Sequence, residues 1–193
     1  GLSGLHIEDP FSFDEWTDRC RELIARNKVS DGILRLYITR GTGKRGYSSM
    51  GCSSPTVLIS LHDAPPVADQ KTRVNIITAA GILSDHDPLS TLKTANKLVN
   101  IIAMREAERA EVHDALLLNR NGHATETAAS NIFVVTENVL RTPTLASGCL
   151  GGITRGFVLE LAADLGIRTA QCDLPHEDCL LYTSPSPRDG RES

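Results

Sequence analysis

Four groups of residues in this chain have types and spacings suited to chemistry. Lys93 stands between a connector-like stretch and a helix-forming one. An amine so placed becomes a Schiff-base nucleophile when desolvation or nearby positive charge lowers its pKa. Taken alone it reads first as a solvated surface lysine, and Lys97, one turn further on, is a chemical rival. Glu126 lies in the small, polar run Thr125-Glu126-Thr127-Ala128-Ala129-Ser130-Asn131 between two strand-like segments. A carboxylate there can hold a proton on a heteroaromatic nitrogen, or it can face water at a strand end. Leu150-Gly151-Gly152-Ile153-Thr154-Arg155 opens a helix. Its glycines let a ligand approach the backbone, and the amides of Ile153 and Thr154 with the helix dipole favour a phosphate. A plain glycine turn before a helix is the alternative.

The fourth group is Arg40-Gly41-Thr42-Gly43-Lys44-Arg45-Gly46-Tyr47. It fails as a P-loop, because Arg45 rather than Ser or Thr follows Lys44 and Ile38 stands where the first glycine belongs. Arg40, Lys44 and Arg45 on such a loop suit the capture of a substrate carboxylate; a solvated basic loop is the rival reading. The order of the other three groups is informative. A lysine, a hairpin carboxylate and a glycine–helix phosphate cradle supply an amine, a pyridinium partner and a phosphate site, which together suit pyridoxal 5'-phosphate (PLP).

The elements that must position these groups follow from pattern. Ser12 and Glu15 have capping-box spacing and start a helix over 13–26, with Trp16, Cys20, Leu23 and Ile24 on one face. Strands are expected over 33–39, 56–61, 73–78, 115–118, 132–135 and 168–173, and further helices over 94–109 and 152–165. In the second helix Leu98, Ile101, Ile102 and Arg105 share a face. Asn121-Gly122 signals a hairpin with both residues at φ > 0, Glu137-Asn138 a second turn, and Gly166 a helix C-terminus. This pattern predicts an α/β chain: a small N-terminal domain over 1–82, a connector over 83–92, a larger domain over 93–181 and a disordered or non-native tail over 182–193.

Composition excludes several classes. The chain has 193 residues, is 40% hydrophobic and carries a net charge of −4, so no basic excess suits nucleic acid or an anionic membrane. No apolar run approaches the ~20 residues that span a bilayer. Cys20, Cys52, Cys149, Cys172 and Cys179 are odd in number and widely spaced, which argues against a metal site or disulfide framework and for a reducing, cytoplasmic setting.

From about Ile33 to Asp173 the chain resembles the class IV aminotransferases, the fold-type-IV PLP enzymes. Lys93-Thr94-Ala95-Asn96 with Asn100 is similar to the family's segment around the PLP lysine, which selects Lys93 over Lys97. Residues 122–126 and Ser130-Asn131-Ile132-Phe133 resemble the segment with the pyridine-nitrogen carboxylate. The resemblance thus gives Glu126 that role and places Asn131 in the cofactor set. Arg141-Thr142-Pro143 and residues 150–155 resemble the threonine-proline and phosphate motifs, assigning the phosphate to Ile153 and Thr154.

The resemblance implies two domains with the cofactor at their interface, a small amino substrate, Arg45 and Arg40 on its carboxylate, and a homodimer. Residues 39–48 look most like aminodeoxychorismate lyase, which eliminates pyruvate to give 4-aminobenzoate for folate biosynthesis. Lys97 stands where the family's transaminases commonly carry Tyr and supports the same reading. Branched-chain and D-amino-acid aminotransferases, of amino acid metabolism, are the alternatives. The family's pattern extends beyond both ends of the chain. It therefore reads as an internal fragment, and a product without catalysis is the rival of another class.

Overall fold

The computed structural model describes residues 1–64, 73–84 and 87–180. The expected tail over 182–193 lies outside these residues, as do residues 65–72, Asp85 and His86. The chain forms two compact units, Gly1–Thr72 and Arg73–Ser193.

In the first unit, helix α1 (Phe13–Asn27) starts at a complete capping box. Ser12 accepts from the Glu15 amide, and the Glu15 carboxylate returns to the Ser12 amide. That carboxylate's pKa is lowered by its hydrogen bonds from the Ser12 backbone and side chain. Trp16, Cys20, Leu23 and Ile24 form the half-buried face of α1, as their spacing predicts. Strands β1 (Ile33–Thr39) and β2 (Thr56–His62) pair antiparallel, with Leu36 opposite Ile59.

In the second unit, β3 (Ile76–Ile82), β4 (Asp114–Leu118), β5 (His123–Thr127) and β9 (Leu174–Pro175) form one sheet in the order β3-β4-β5-β9. Strands β6 (Val134–Thr136), β7 (Val139–Pro143) and β8 (Thr169–Cys172) form another. The β3–β4 and β7–β8 pairs are parallel. Helix α2 (Leu98–Arg109) covers β3 and β4, α3 (Ile153–Asp164) leads into β8, and the short α4 (His176–Leu180) follows β9. Every described cysteine is free, and no helix among the described residues is long and apolar enough to cross a membrane.

Several expectations are corrected. The units divide after Thr72, not at 83–92, because β3 pairs along β4 and so belongs to the second unit. That strand begins at Ile76 rather than residue 73. Helix α2 begins at Leu98 rather than residue 94, and its Leu98, Ile101 and Ile102 face outward at 62%, 55% and 48% exposure. Its buried residues are Ala103 and Ala107, packed with Ala79, Ala115 and Leu117. Small side chains on the sheet-facing side let the helix backbone come close, so the bulkier apolar face is left on the outside. A second cluster joins Leu116, Ala124 and Leu174.

Candidate functional site

The β4–β5 hairpin positions Glu126. Its turn closes with the Gly122 amide donating to Asn119 O at 3.0 Å. Gly122 adopts φ 75°, while Asn121 stays out of the left-handed region, contrary to the expectation for both. The Asn119 side chain does the remaining work, its Oδ1 accepting from the Asn121 and His123 amides at 3.0 Å each. Further along, Leu117 pairs with Glu126 but Leu118 pairs with Ala124, so Thr125 is an extra residue on β5. Such a bulge re-aims the side chains beside it. The Thr125 hydroxyl returns to Leu117 O at 2.8 Å, and the next residue, Glu126, is only 6% exposed.

A buried carboxylate needs donors. Glu126 Oε2 accepts from the Leu150 amide at 2.8 Å, while Oε1 makes no hydrogen bond among the described residues. The loop after β5 folds back so that Asn131 bridges to Glu126. Asn131 Nδ2 then donates to Leu150 O at 2.8 Å. The loop itself is fixed from β4 and α2. Asp114 accepts from the Thr127 hydroxyl at 2.6 Å and from the Ala128 amide at 3.1 Å, and Asn100 Nδ2 donates to Ala128 O at 3.1 Å.

Leu150 leads directly into α3. The helix N-cap is Gly152, and no side chain caps it. The amides of Ile153 and Thr154 therefore have no partner among the described residues, and both residues are exposed, Ile153 at 93%. A Cβ on Gly152 would run into Asn131 Oδ1. Behind this opening Arg155 is buried and donates to Pro143 O and Gln171 Oε1, each at 2.8 Å. Cys149 is fully buried as well. Burial pushes its thiol pKa up; the Arg155 charge opposes that rise, and the Glu126 charge adds to it.

Of the sequence-derived site residues, the structure joins Glu126, Asn131 and the Ile153–Thr154 opening through Leu150 and Gly152. Lys93 lies in the same unit on an irregular, exposed segment before α2, with no hydrogen bond from its amine among the described residues. Arg40 and Arg45 belong to the first unit. The Arg40 guanidinium donates to the carbonyls of His6 at 2.9 Å and of Leu5, so its fork is occupied within its own unit. Arg45 is exposed and unpartnered among the described residues. The Leu150 backbone and the Thr125 bulge are the site features that sequence reasoning missed. The pairing of Glu and Asn ahead of a Gly-Gly helix start was their only trace.

Among the described residues no group of three His, Cys, Asp or Glu converges on a metal position. A family profile described as amino-transferase class IV matches residues 1–181. The chain is similar to a D-alanine aminotransferase of Bacillus licheniformis, 31% identical over 91% of this chain and 61% of that protein. Among solved structures it resembles the branched-chain amino acid aminotransferase of Escherichia coli, with a TM-score of 0.83 and 25% identity over 91% of this chain and 60% of that one. It also resembles the 4-amino-4-deoxychorismate lyase of Pseudomonas aeruginosa, with a TM-score of 0.82 and 25% identity over 93% of this chain and 66% of that one. The chain thus spans about three fifths of the length of most of the curated relatives it matches, and 27% of two longer ones from Arabidopsis thaliana.

Proposed function

We propose, for a chain that belongs to the amino-transferase class IV family, that it carries the cofactor-binding part of a PLP-dependent enzyme acting on a small amino substrate. The observation that carries this reading is the linkage of a buried carboxylate, Glu126, to an uncapped helix start through Leu150. The residues present fit PLP. The Ile153 and Thr154 amides, without a partner among the described residues, suit its phosphate, and Glu126 Oε1, likewise without one among them, suits a protonated ring nitrogen.

When bound, PLP supplies an electron sink for charge developing at the substrate α-carbon. Glu126 would hold a proton on the ring nitrogen, its carboxylate stabilising the charged ring. Ile153 and Thr154 bind the phosphate with backbone amides, assisted by the α3 dipole and the Thr154 hydroxyl. The Lys93 amine would hold the cofactor and, once free of it, would move the proton at the substrate α-carbon. Arg45 takes the substrate carboxylate. Arg40 supports it by holding the strand end that leads into the basic loop, given its bonds to Leu5 and His6.

Within the family we favour aminodeoxychorismate lyase, releasing pyruvate and 4-aminobenzoate. The support is the basic loop over 39–48, the basic Lys97, and the likeness to the Pseudomonas lyase structure. A transaminase is the second reading, favoured by the likeness to the D-alanine and branched-chain aminotransferases. A cytoplasmic homodimer belongs to the same proposal.

Borohydride reduction of the purified chain with PLP, followed by peptide mapping, tests the site. Pyridoxyl label concentrated on Lys93 is expected, and Lys93→Ala abolishes it. Absent or scattered label overturns the reading and leaves a product without catalysis. Pyruvate release from aminodeoxychorismate with no keto acid present then identifies the lyase, whereas an absolute need for a keto acid identifies the transaminase.

A further inference from the structure

The Gly151-Gly152 pair poses a mechanical problem. Glycine has the widest backbone freedom of any residue, and two in succession at a helix start let that start drift. A phosphate site made of two backbone amides tolerates little drift, because misplacement of about 1 Å already costs a large factor in function. Something outside the glycines must hold the opening of α3 in place.

The structure supplies it at Leu150. Its amide donates to Glu126 Oε2 at 2.8 Å, and its carbonyl accepts from Asn131 Nδ2 at 2.8 Å. The same carbonyl accepts from the Gly152 amide at 2.9 Å, which closes a tight turn around Gly151. Glu126 and Asn131 are themselves bridged through the backbone. Asn131 Oδ1 lies against the Gly152 Cα, where no Cβ fits. One residue is therefore gripped at both polar backbone groups by two side chains that share a register.

We infer that Asn131 is a positioning residue rather than a cofactor contact: with Glu126 it clamps Leu150 and sets the Ile153 and Thr154 amides at a fixed place relative to the Glu126 carboxylate. The inference rests on the PLP reading above and adds a coupling between the two ends of that site. The carboxylate that faces the ring nitrogen also anchors the phosphate cradle, so loosening either end loosens the other. Asn131 acts through Leu150 and Gly152, and its Nδ2 is already engaged with Leu150 O.

The test uses the full chain with Asn131→Ala and Asn131→Asp. The Asp variant keeps the side-chain shape but replaces the donor with an oxygen facing Leu150 O. Amide hydrogen exchange at Leu150 and Gly152 reads the clamp with no cofactor present, and PLP titration followed by absorbance reads the cradle. Both variants are expected to speed exchange at the two amides about tenfold and to weaken PLP binding about tenfold, the loss set by one part-buried hydrogen bond. Gly152→Ala is expected to weaken PLP binding strongly in the natural background and less than about twofold further in Asn131→Ala, where its obstacle is gone.

Unchanged exchange at both amides overturns the clamp. Faster exchange with undiminished PLP affinity overturns its role in positioning. A natural chain that binds no PLP, yet shows protected Leu150 and Gly152 amides that Asn131→Asp releases, overturns the cofactor reading and leaves the clamp standing.

Discussion

The two units of this chain solve different problems. In the first, no described residue is fully buried, and Ile33, Leu36, Tyr37 and Leu58 on its two-stranded sheet stand exposed. In the second, two apolar clusters surround the sheet, and polar side chains such as Asn119, Thr125, Glu126, Thr142 and Arg155 are buried among them. Buried polar groups are costly unless each finds a partner. The second unit meets much of that demand with bonds that also build the site, although Arg141 Nε and Arg155 Nε stay buried without a hydrogen-bond partner among the described residues. The first unit offers a basic loop on little core. The difference teaches where geometry can be held to tenths of an ångström: on strands and helix starts locked by packing, rather than on exposed loops.

The largest expected break in this comparison is Leu117→Ala. Leu117 is fully buried between α2 and the sheet, so its truncation should cost about 2–5 kcal/mol. Leu34→Ala, on half-buried β1, should cost about 1 kcal/mol. Denaturant unfolding of both variants checks the contrast, and equal losses would erase the distinction between the units. Next is Arg155→Met, which keeps the apolar stem but removes the hydrogen bonds to Pro143 O and Gln171 Oε1. A loss of about 2 kcal/mol is expected, with PLP affinity falling in parallel because α3 loses its inner anchor.

The smallest effect is alkaline. The Cys149 pKa is raised by burial above the ordinary value of 9.0, so the folded state favours the protonated thiol. That contribution is present below 9.0 and is lost as pH rises through the folded-state value. Thermal melts from neutral to alkaline pH should therefore fall more steeply for the natural chain than for Cys149→Ser. Parallel curves would place the alkaline sensitivity elsewhere.

What was legible in the sequence was written in local chemistry. Ser12 and Glu15 announce α1 because both partners of the capping box lie within one turn. Glu137 and Asn138, at φ 51° and 59°, make the tight turn between β6 and β7 that their pairing implied. The end of α3 is also local: the Ile167 amide reaches Ala162 O and the Gly166 amide reaches Ala163 O, which is the Schellman pattern. The Lys, Glu and Gly-Gly groups were visible as types in order, and the family profile over 1–181 agrees with the resemblance they carried.

The rest depended on partners far away in the chain. Nothing near Ile101 says that Ala103, not Ile101, meets the sheet; that follows from how closely α2 approaches β4. The Thr125 bulge is a property of register with β4, and a register has no local signature. The clamp on Leu150 joins residues 24 and 19 positions apart, through backbone groups that any residue type would offer. Sequence named Glu126 and Asn131, and the fold supplied what they hold.

The parallel pairing of β3 with β4 also bears on how this chain acquires its shape in time. Antiparallel β4–β5 closes through a turn of a few residues, so it can form early. Joining β3 to β4 brings Asn75 to His113 across 38 positions, and joining β7 to β8 brings Arg141 beside Ala170 around the whole of α3. Loop closure of that kind is entropically slow. Glu126 thus lies on a hairpin free to close early, whereas Arg155 finds Gln171 only after the last crossover is made. The opening of α3 should be among the late arrivals, and a ligand that grips it would slow unfolding more than it speeds folding.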